Sequence, residues 1–181
     1  MKNLIFICVL TVTLIYSSPL VAKVYHTRDS ALKNAFSDAD TIEKKTLFLD
    51  DEDVKKIEAP AKVKLDTKIF TFYIGKKKDA VLGYVMFGSH VIRTKPEVYM
   101  VAINPDASIK FVEILAFYEP EEYLPLKKWF EQFVGRVLDD TFFPKRGIRA
   151  VSGATLSVNG ITQEIRKALA VFQIMIIGEK K

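Results

Sequence analysis

Apolar and polar residues alternate through the middle of the chain with the period of extended strands. Segments 69–74, 80–92, 98–103 and 109–117 are rich in β-branched and aromatic residues, which favour strands. The connections between them carry the Gly, Asp, Asn and Pro of short hairpin turns. The pattern therefore predicts an antiparallel meander. In it, 98–103 is a central strand covered on both faces and 109–117 is half solvated.

Helical spacing of apolar residues precedes and follows this meander. Segments 29–36 and 50–58 predict two short helices, with the second broken by Pro at 59–61. Later, apolar residues at helical spacing predict a helix over 126–137 and a final helix with an apolar stripe over 161–175. The expected fold class is α+β, a twisted antiparallel sheet flanked by helices.

The first 22 residues have the three-part layout of a secretory signal. Lys2 precedes an apolar run over 4–15, and small residues lead to Ala22 before the expected cleavage point. The run is shorter than the about 20 residues that span a bilayer, and a retained anchor is the alternative. A single domain is expected over 23–181, with its motif-bearing part at 68–177.

Composition narrows the class of protein. Hydrophobic residues make up 49% of the chain and charged residues 27%, with a net charge of +5. These values are typical of a globular domain rather than a disordered chain. The one basic run, Lys76-Lys77-Lys78, has no interleaved aromatic residues that would stack on bases. No nucleic-acid partner is therefore expected.

Cysteine and histidine usage limits the redox chemistry that the chain can perform. Cys8 is the only cysteine and lies inside the apolar run. After cleavage no thiol would be left for a disulfide, an iron–sulfur cluster or covalent haem. His26 and His90 show no metal-ligand spacing, so no metal site is expected. Any redox chemistry would need a bound organic cofactor.

The most informative motif is Ser-Gly-Ala-Thr-Leu-Ser at 152–157, where the last helix is expected to begin. Unpaired backbone N–H groups and the positive end of the helix dipole favour a phosphate at such a place. Gly153 would let a ligand approach the main chain, and Thr155 would meet its phosphate. The alternative is an ordinary helix cap, since Ser, Thr and Gly are common in that role.

The wider string 150–157 resembles the flavinylation motif of the FMN-binding domain family, the domain of the RnfG and NqrC subunits of membrane redox pumps. Segments 83–85, 89–97 and 113–120 are similar to strand and loop segments of the same domain. The resemblance implies FMN joined to Thr155 through a phosphoester bond. A dedicated flavin transferase that uses FAD as donor would form this bond.

The resemblance also implies which other side chains surround the cofactor. Arg93 and Lys95 would pair with the flavin phosphate or its electron-rich ring, and Tyr118 and Tyr123 are the candidates for stacking on that ring. The full set of expected cofactor-binding residues is Thr155, Ser152, Gly153, Ala154, Leu156, Ser157, Arg149, Arg93, Lys95 and Glu119.

The function that the resemblance implies is electron transfer by an exported protein, in the periplasm or at the outer face of the inner membrane. The chain would be an electron carrier or redox subunit rather than a stand-alone enzyme. Its expected partner is a membrane redox complex, a cytochrome or a quinone-linked protein.

One departure from the family pattern leaves two alternatives open. Arg149 stands three residues before the motif serine, where the family usually has an aspartate. The alternatives are a secreted binding module of the same fold that has lost flavin, and a protein that binds FMN reversibly.

Overall fold

The computed structural model describes residues 23–178, in which an antiparallel sheet carries helices on both faces. The expected signal at 1–22 lies outside the described residues. The strands are β1 (Lys23–Val24), β2 (Thr41–Phe48), β3 (Ile69–Lys77), β4 (Ala80–Val91), β5 (Pro96–Ile103) and β6 (Ile109–Phe117). Their order across the six-stranded sheet is β1-β6-β5-β4-β3-β2. The predicted α+β class and the meander of β3 to β6 are confirmed.

The helices are α1 (Arg28–Ala35), α2 (Asp51–Ala61), α3 (Lys127–Phe130) and α4 (Thr155–Val171). Two 3-10 turns, Glu121–Tyr123 and Glu131–Phe133, lie on either side of α3, and a π-helical turn over Phe172–Ile177 continues α4. Within 23–178, no helix is both long and apolar enough to cross a membrane.

The sequence pattern does not predict the two edge strands. β2 pairs with β3 along its whole length, from Thr41 opposite Lys76 to Phe48 opposite Ile69. Its Glu-Lys-Lys centre breaks the apolar alternation, because an edge strand with one solvated face accepts charged side chains. β1 is two residues long and gives too short a pattern to detect.

Two predicted helix boundaries are wrong. Pro60 does not break α2, which ends after Ala61, where Lys62 adopts a left-handed φ of 51°. A proline this close to the end of a helix removes only one backbone bond. The predicted helix at 126–137 is short, because Val134 is extended and the Gly135 N–H bonds the Ile109 carbonyl of β6 at 2.8 Å.

The two faces of the sheet carry separate cores. α4 lies on the larger core and buries Ile161, Ile165 and Leu169 almost completely. α1 covers the smaller core on the opposite face, where Ala31 and Leu32 pack with residues of β4, β5 and β6. β5 is buried on both faces as predicted, whereas β6 alternates only over its first half. This packing fixes the position of the N-terminal end of α4.

Candidate functional site

Within residues 23–178, no side chain satisfies the backbone donors at the N-terminal end of α4. The helix begins at Thr155, and the residue before it is Ala154, whose methyl side chain has no oxygen that could cap the helix. No acidic residue lies in the first turn. The N–H groups of this turn and the positive end of the helix dipole therefore remain available to an external anion. The ordinary cap considered from the sequence does not form.

The motif residues divide into an anchored set and an open set. Ala154 and Ser157 are buried, and the Ser157 hydroxyl donates to the Tyr123 carbonyl at 2.5 Å. This bond ties the first turn of α4 to the 3-10 turn at 121–123. The exposed residues of the motif are Ser152, Gly153, Thr155 and Leu156.

Gly153 and Thr155 leave the main chain accessible. Gly153 has a φ of +83°, and a Cβ built on it would meet no atom within 4 Å. Glycine is thus required here by backbone conformation rather than by lack of space. The Thr155 hydroxyl is exposed and has no hydrogen-bond partner among the described residues. A phosphate can approach both the hydroxyl and the neighbouring backbone donors.

A cationic groove of about 720 Å³ lies on one side of Thr155. Its volume is in the range of small-molecule and cofactor sites. The lining residues supply three cations, one aromatic ring and polar groups of α4: Lys62, Phe143, Pro144, Lys145, Arg146, Ala150, Thr155, Val158 and Asn159. Positive charge and a ring beside an open helix N-terminus suit a ligand that combines a phosphate with a flat aromatic system.

Phe143 is surrounded by cations. The Arg166 guanidinium carbon lies 3.8 Å from the ring centroid, and the charged groups of Lys62 and Arg146 each lie 5.7 Å from it. Lys62 also forms an ion pair with Asp140, at 2.6 Å. The ring is therefore held by cation–π contacts at the edge of the groove.

Arg166 lies against Phe143, one of the residues that line this groove. Its side chain is buried and donates to the carbonyls of Pro60, Ala61 and Phe142 at 2.7 to 2.9 Å. Burial lowers the pKa of the guanidinium, but an arginine stays charged at any physiological pH. Arg166 thus joins α4 to the end of α2 and to the 139–143 segment, and it places a positive charge under Phe143.

The predicted residues Arg93, Lys95 and Glu119 lie on the other flank of the α4 terminus. The Arg93 guanidinium is 5.0 Å from the ring centroid of Tyr123, the residue whose carbonyl binds Ser157. Glu119 accepts hydrogen bonds from the Thr94 and Lys95 backbone N–H groups, both at 2.8 Å.

Glu119 therefore stabilises the turn between β4 and β5, a role that the sequence did not predict. The hydrogen bonds from Thr94 and Lys95 hold the pKa of its carboxyl below the usual range, so the turn between β4 and β5 is organised around an ionised carboxylate. This arrangement holds Arg93 near Tyr123. That Arg93, Lys95 and Glu119 contact a cofactor stays a prediction.

Arg149 is fixed through its backbone and not through its side chain. Its N–H donates to Gln132 Oε1 at 2.8 Å, and its carbonyl accepts from the Trp129 indole at 2.6 Å. The guanidinium is exposed and has no charged partner in the described part of the chain. It is a free cation three residues before Ser152.

Sequence reasoning missed the groove residues Lys62, Phe143, Lys145 and Arg146, and it missed Arg166, which contacts Phe143. A signal was present, since the string Phe-Phe-Pro-Lys-Arg at 142–146 combines aromatic and basic residues shortly before the motif. Arg166 interrupts the apolar stripe of the last helix in the same way. Lys62 gave no signal, because only the packing of α2 on α4 brings it here.

The described residues contain no group of three or more His, Cys, Asp and Glu side chains that could hold a metal ion. The groups that the site does offer are the Thr155 hydroxyl, the backbone donors of α4 and the cations of the groove. These groups fit a phosphate-bearing organic cofactor.

Comparison with known proteins agrees with this geometry. Residues 95–170 match the FMN-binding domain family, a range that runs from the start of β5 through the groove residues at 143–146 to the end of α4. No curated protein matches the chain. The open helix terminus, the free Thr155 hydroxyl and the cationic groove all lie within or beside the matched range and fit FMN. Residues 95–170 are therefore similar to the FMN-binding domain of this family, and the match supports FMN as the ligand.

Proposed function

We propose that this protein is an exported electron carrier that holds FMN covalently, through a phosphoester bond to Thr155. The observation that carries the proposal is the Thr155 hydroxyl, which is exposed at the uncapped N-terminus of α4 and has no hydrogen-bond partner in the part of the chain that the structure describes. A threonine with no functional role in the first turn of a helix does not require an exposed, unpaired hydroxyl or an uncapped helix start. A phosphate attached to this hydroxyl would lie beside the unpaired backbone N–H groups at the start of α4.

The attachment step balances with FAD as donor. The Thr155 oxygen attacks the phosphorus of the FMN half, the phosphoanhydride bond breaks, and AMP leaves with the bridging oxygen. The hydroxyl proton passes to a base of the transferase or to water, and no electron is transferred. Lys145 and Arg146 would neutralise phosphate charge during this step, since both line the groove beside Thr155.

Bound flavin supplies one- and two-electron transfer, while the protein supplies position and electrostatics. Phe143 offers an aromatic face on the groove side, and Tyr123 offers one on the other flank. Arg93, Lys62 and Arg146 surround these rings with positive charge. Positive charge near a flavin favours its electron-rich reduced form. Covalent attachment would keep the cofactor from diffusing away outside the cytoplasm.

Export through the segment 1–22 is part of the proposal. It would place the carrier in the periplasm or at the outer face of the inner membrane. A membrane redox complex, a cytochrome or a quinone-linked protein would then exchange electrons with it.

The test is co-expression with an FAD-dependent flavin transferase, followed by acid precipitation. Covalent flavin stays with the precipitated wild-type protein, and Thr155→Ala should lose it completely. Thr41→Ala removes an exposed threonine hydroxyl on β2 and should keep the flavin. Thr155→Ser should retain some attachment, because it keeps the nucleophilic oxygen.

Three other results would reject the covalent proposal. Yellow protein that releases all its flavin into the acid supernatant means reversible FMN binding. Colourless wild-type protein that binds no added FMN means a module that has lost flavin, and Arg149→Asp would then show whether the arginine is responsible. Covalent flavin that survives in Thr155→Ala means attachment at another residue.

A further inference from the structure

A histidine and a glutamate are buried together beneath α4. His90 of β4 and Glu97 of β5 are cross-strand partners, and His90 Nε2 lies 3.6 Å from Glu97 Oε1. The glutamate is fully buried and the histidine side chain is 11% exposed. Neither residue has a role in the site described above.

All four polar atoms of this pair lack a hydrogen-bond partner in the described part of the chain. They are His90 Nδ1 and Nε2 and Glu97 Oε1 and Oε2. A buried carboxylate with no donor near it is strongly unfavourable, because it has lost its hydration and gained nothing in return. Almost all buried polar groups are paired. The pair therefore needs a proton between its members.

α4 packs directly on the imidazole. A Cβ at Gly160 would lie 2.4 Å from His90 Nε2, so only glycine allows the helix to approach this closely. Gly160 follows Thr155 by five residues, a rise of about 7.5 Å along the helix. The buried pair therefore lies below the same end of α4 that carries the candidate attachment residue.

Other titratable groups face the pair from each packed element. The Tyr99 ring on β5 lies 6.0 Å from the His90 ring, and its hydroxyl donates to Glu164 of α4 at 2.7 Å. Lys167 donates to Glu164 at 2.8 Å and pairs with Asp66 at 3.3 Å. Glu164 and Asp66 share Lys167, and after burial the negative charge of Glu164 is the second cause that raises the pKa of Glu97.

A cavity at an opening in the sheet borders the groups that face the pair. β3 and β4 pair only from Phe72 opposite Met86 towards their hairpin. Beyond that point a cavity of about 280 Å³ is lined by residues of both strands and by Asp66, Tyr99 and Glu164. Protons can therefore exchange between water and the groups that surround His90.

We propose that His90 and Glu97 form a binding site for one proton, shared between them at neutral pH, and that this proton is linked electrostatically to charge held at the N-terminal end of α4. With the proton the pair is neutral, and without it the pair carries one negative charge. Negative charge on a ligand at Thr155 would strengthen proton binding, and by reciprocity the proton would strengthen the binding of that charge. The second half of the proposal rests on the proposed function.

The pKa directions agree with this arrangement. Burial raises the pKa of Glu97 to about 8 and lowers that of His90 below its usual value. The total is one proton on the pair at pH 7 whether it lies on oxygen or on nitrogen. The proton comes from water, and neither residue is oxidised or reduced when it binds.

The shared proton can be tested on the flavin-free chain. The Glu97 carboxyl carbon and the His90 ring nitrogens, followed by isotope-edited NMR, should report one common titration above pH 7. Glu113→Gln removes the acid of the exposed His26–Glu113 pair, 3.3 Å apart, and should leave that titration unchanged. A Glu97 carboxyl that is already ionised at pH 6 beside a neutral His90 would overturn the proposal.

The linkage is tested by the midpoint potential of flavin-loaded protein at pH 7 and pH 9. Wild type and Glu97→Gln should agree at pH 7, where the pair is neutral. At pH 9 wild type should have the lower potential, because only wild type has gained a negative charge. Equal potentials at pH 9 would reject the linkage. A chain that takes up no FMN would reject the proposed function, and the NMR titration would still decide the shared proton.

Discussion

The N-termini of α2 and α4 are built in opposite ways. At α2 the Asp50 carboxylate accepts from the Glu52 and Asp53 N–H groups, both at 2.8 Å, and Asp53 accepts in return from the Asp50 N–H at 3.3 Å. Asp51, Glu52 and Asp53 fill the first turn with negative charge. At α4 the cap position is Ala154, and the first turn has no acid.

The difference shows how the same backbone physics is put to two uses. Every helix leaves about four unpaired N–H groups at its start. α2 satisfies part of its set with its own carboxylates, which stabilises the helix and excludes anions. α4 leaves its set open beside Lys145 and Arg146 and gives up that stabilisation. We interpret an uncapped helix in cationic surroundings as a binding feature rather than as a defect.

Arg166→Met should produce the largest effect, because Arg166 joins the two helices. The change leaves the carbonyls of Pro60, Ala61 and Phe142 without their buried donor. We expect a loss of about 3 kcal/mol or more in the free energy of unfolding, measured by urea denaturation. Lys64→Met, which alters an exposed lysine paired with Glu58, is the control and should change stability by less than about 1 kcal/mol. Equal losses in the free energy of unfolding for Arg166→Met and Lys64→Met would show that the buried Arg166 hydrogen bonds do not stabilise the fold.

The free energy of unfolding should depend on pH through the buried His90–Glu97 pair. Glu97 has a folded pKa near 8, raised above its unfolded value, so its contribution is present at low pH and is lost as the pH rises through 8. His90 shifts in the opposite sense and offsets this below about pH 6.5. Between about pH 6.5 and 8 the free energy of unfolding should therefore fall by about 2 kcal/mol.

Denaturation of Glu97→Gln tests that assignment. The amide cannot ionise, so the fall attributed to Glu97 should be absent while other contributions remain. A pH dependence identical to that of wild type would show that Glu97 titrates in the same way in the folded and unfolded chains.

Asp50→Ala should destabilise α2 without affecting the FMN site at α4. Loss of the capping box removes two side-chain bonds to the backbone, and we expect a stability loss of about 1 kcal/mol. FMN uptake should not change, since Asp50 is not part of the groove. Reduced uptake at unchanged stability would contradict the separate roles given to the two helix ends.

Leu156→Asp should give the smallest effect on stability and turns the start of α4 into an acidic one. Leu156 is exposed in the first turn, and the new carboxylate would compete with a phosphate for the same donors. The helix should be stabilised by about 0.5 kcal/mol, while the affinity for FMN in fluorescence titrations should fall by about three- to tenfold. Leu156→Asn is the uncharged control and should bind FMN more tightly than Leu156→Asp.

The sequence predicted those parts of the molecule in which local pattern and packing agree. β3 to β6 and α4 follow from alternation and periodicity, and Thr155 was placed correctly at the start of its helix. β2 could not be predicted because Glu43, Lys44 and Lys45 are compatible with an exposed edge. The helix expected at 126–137 failed because its chain turns away to bond β6 through Gly135.

The site was only partly predictable for a similar reason. The motif is contiguous, whereas the groove joins Lys62, Phe143 and Arg146 with Thr155 through tertiary packing. The buried pair of His90 and Glu97 also depends on strand register, because neither residue has a distinctive sequence context. The sequence could supply a candidate attachment residue, whereas its surroundings in the fold could not be derived from sequence alone.

The most direct test of the central claim is tandem mass spectrometry of wild-type protein produced with an FAD-dependent flavin transferase and then denatured. The account predicts a mass gain of one FMN minus one water, located on the Thr155 side chain. An unmodified Thr155 in protein that has met an active transferase, or a flavin located on any other residue, would contradict it.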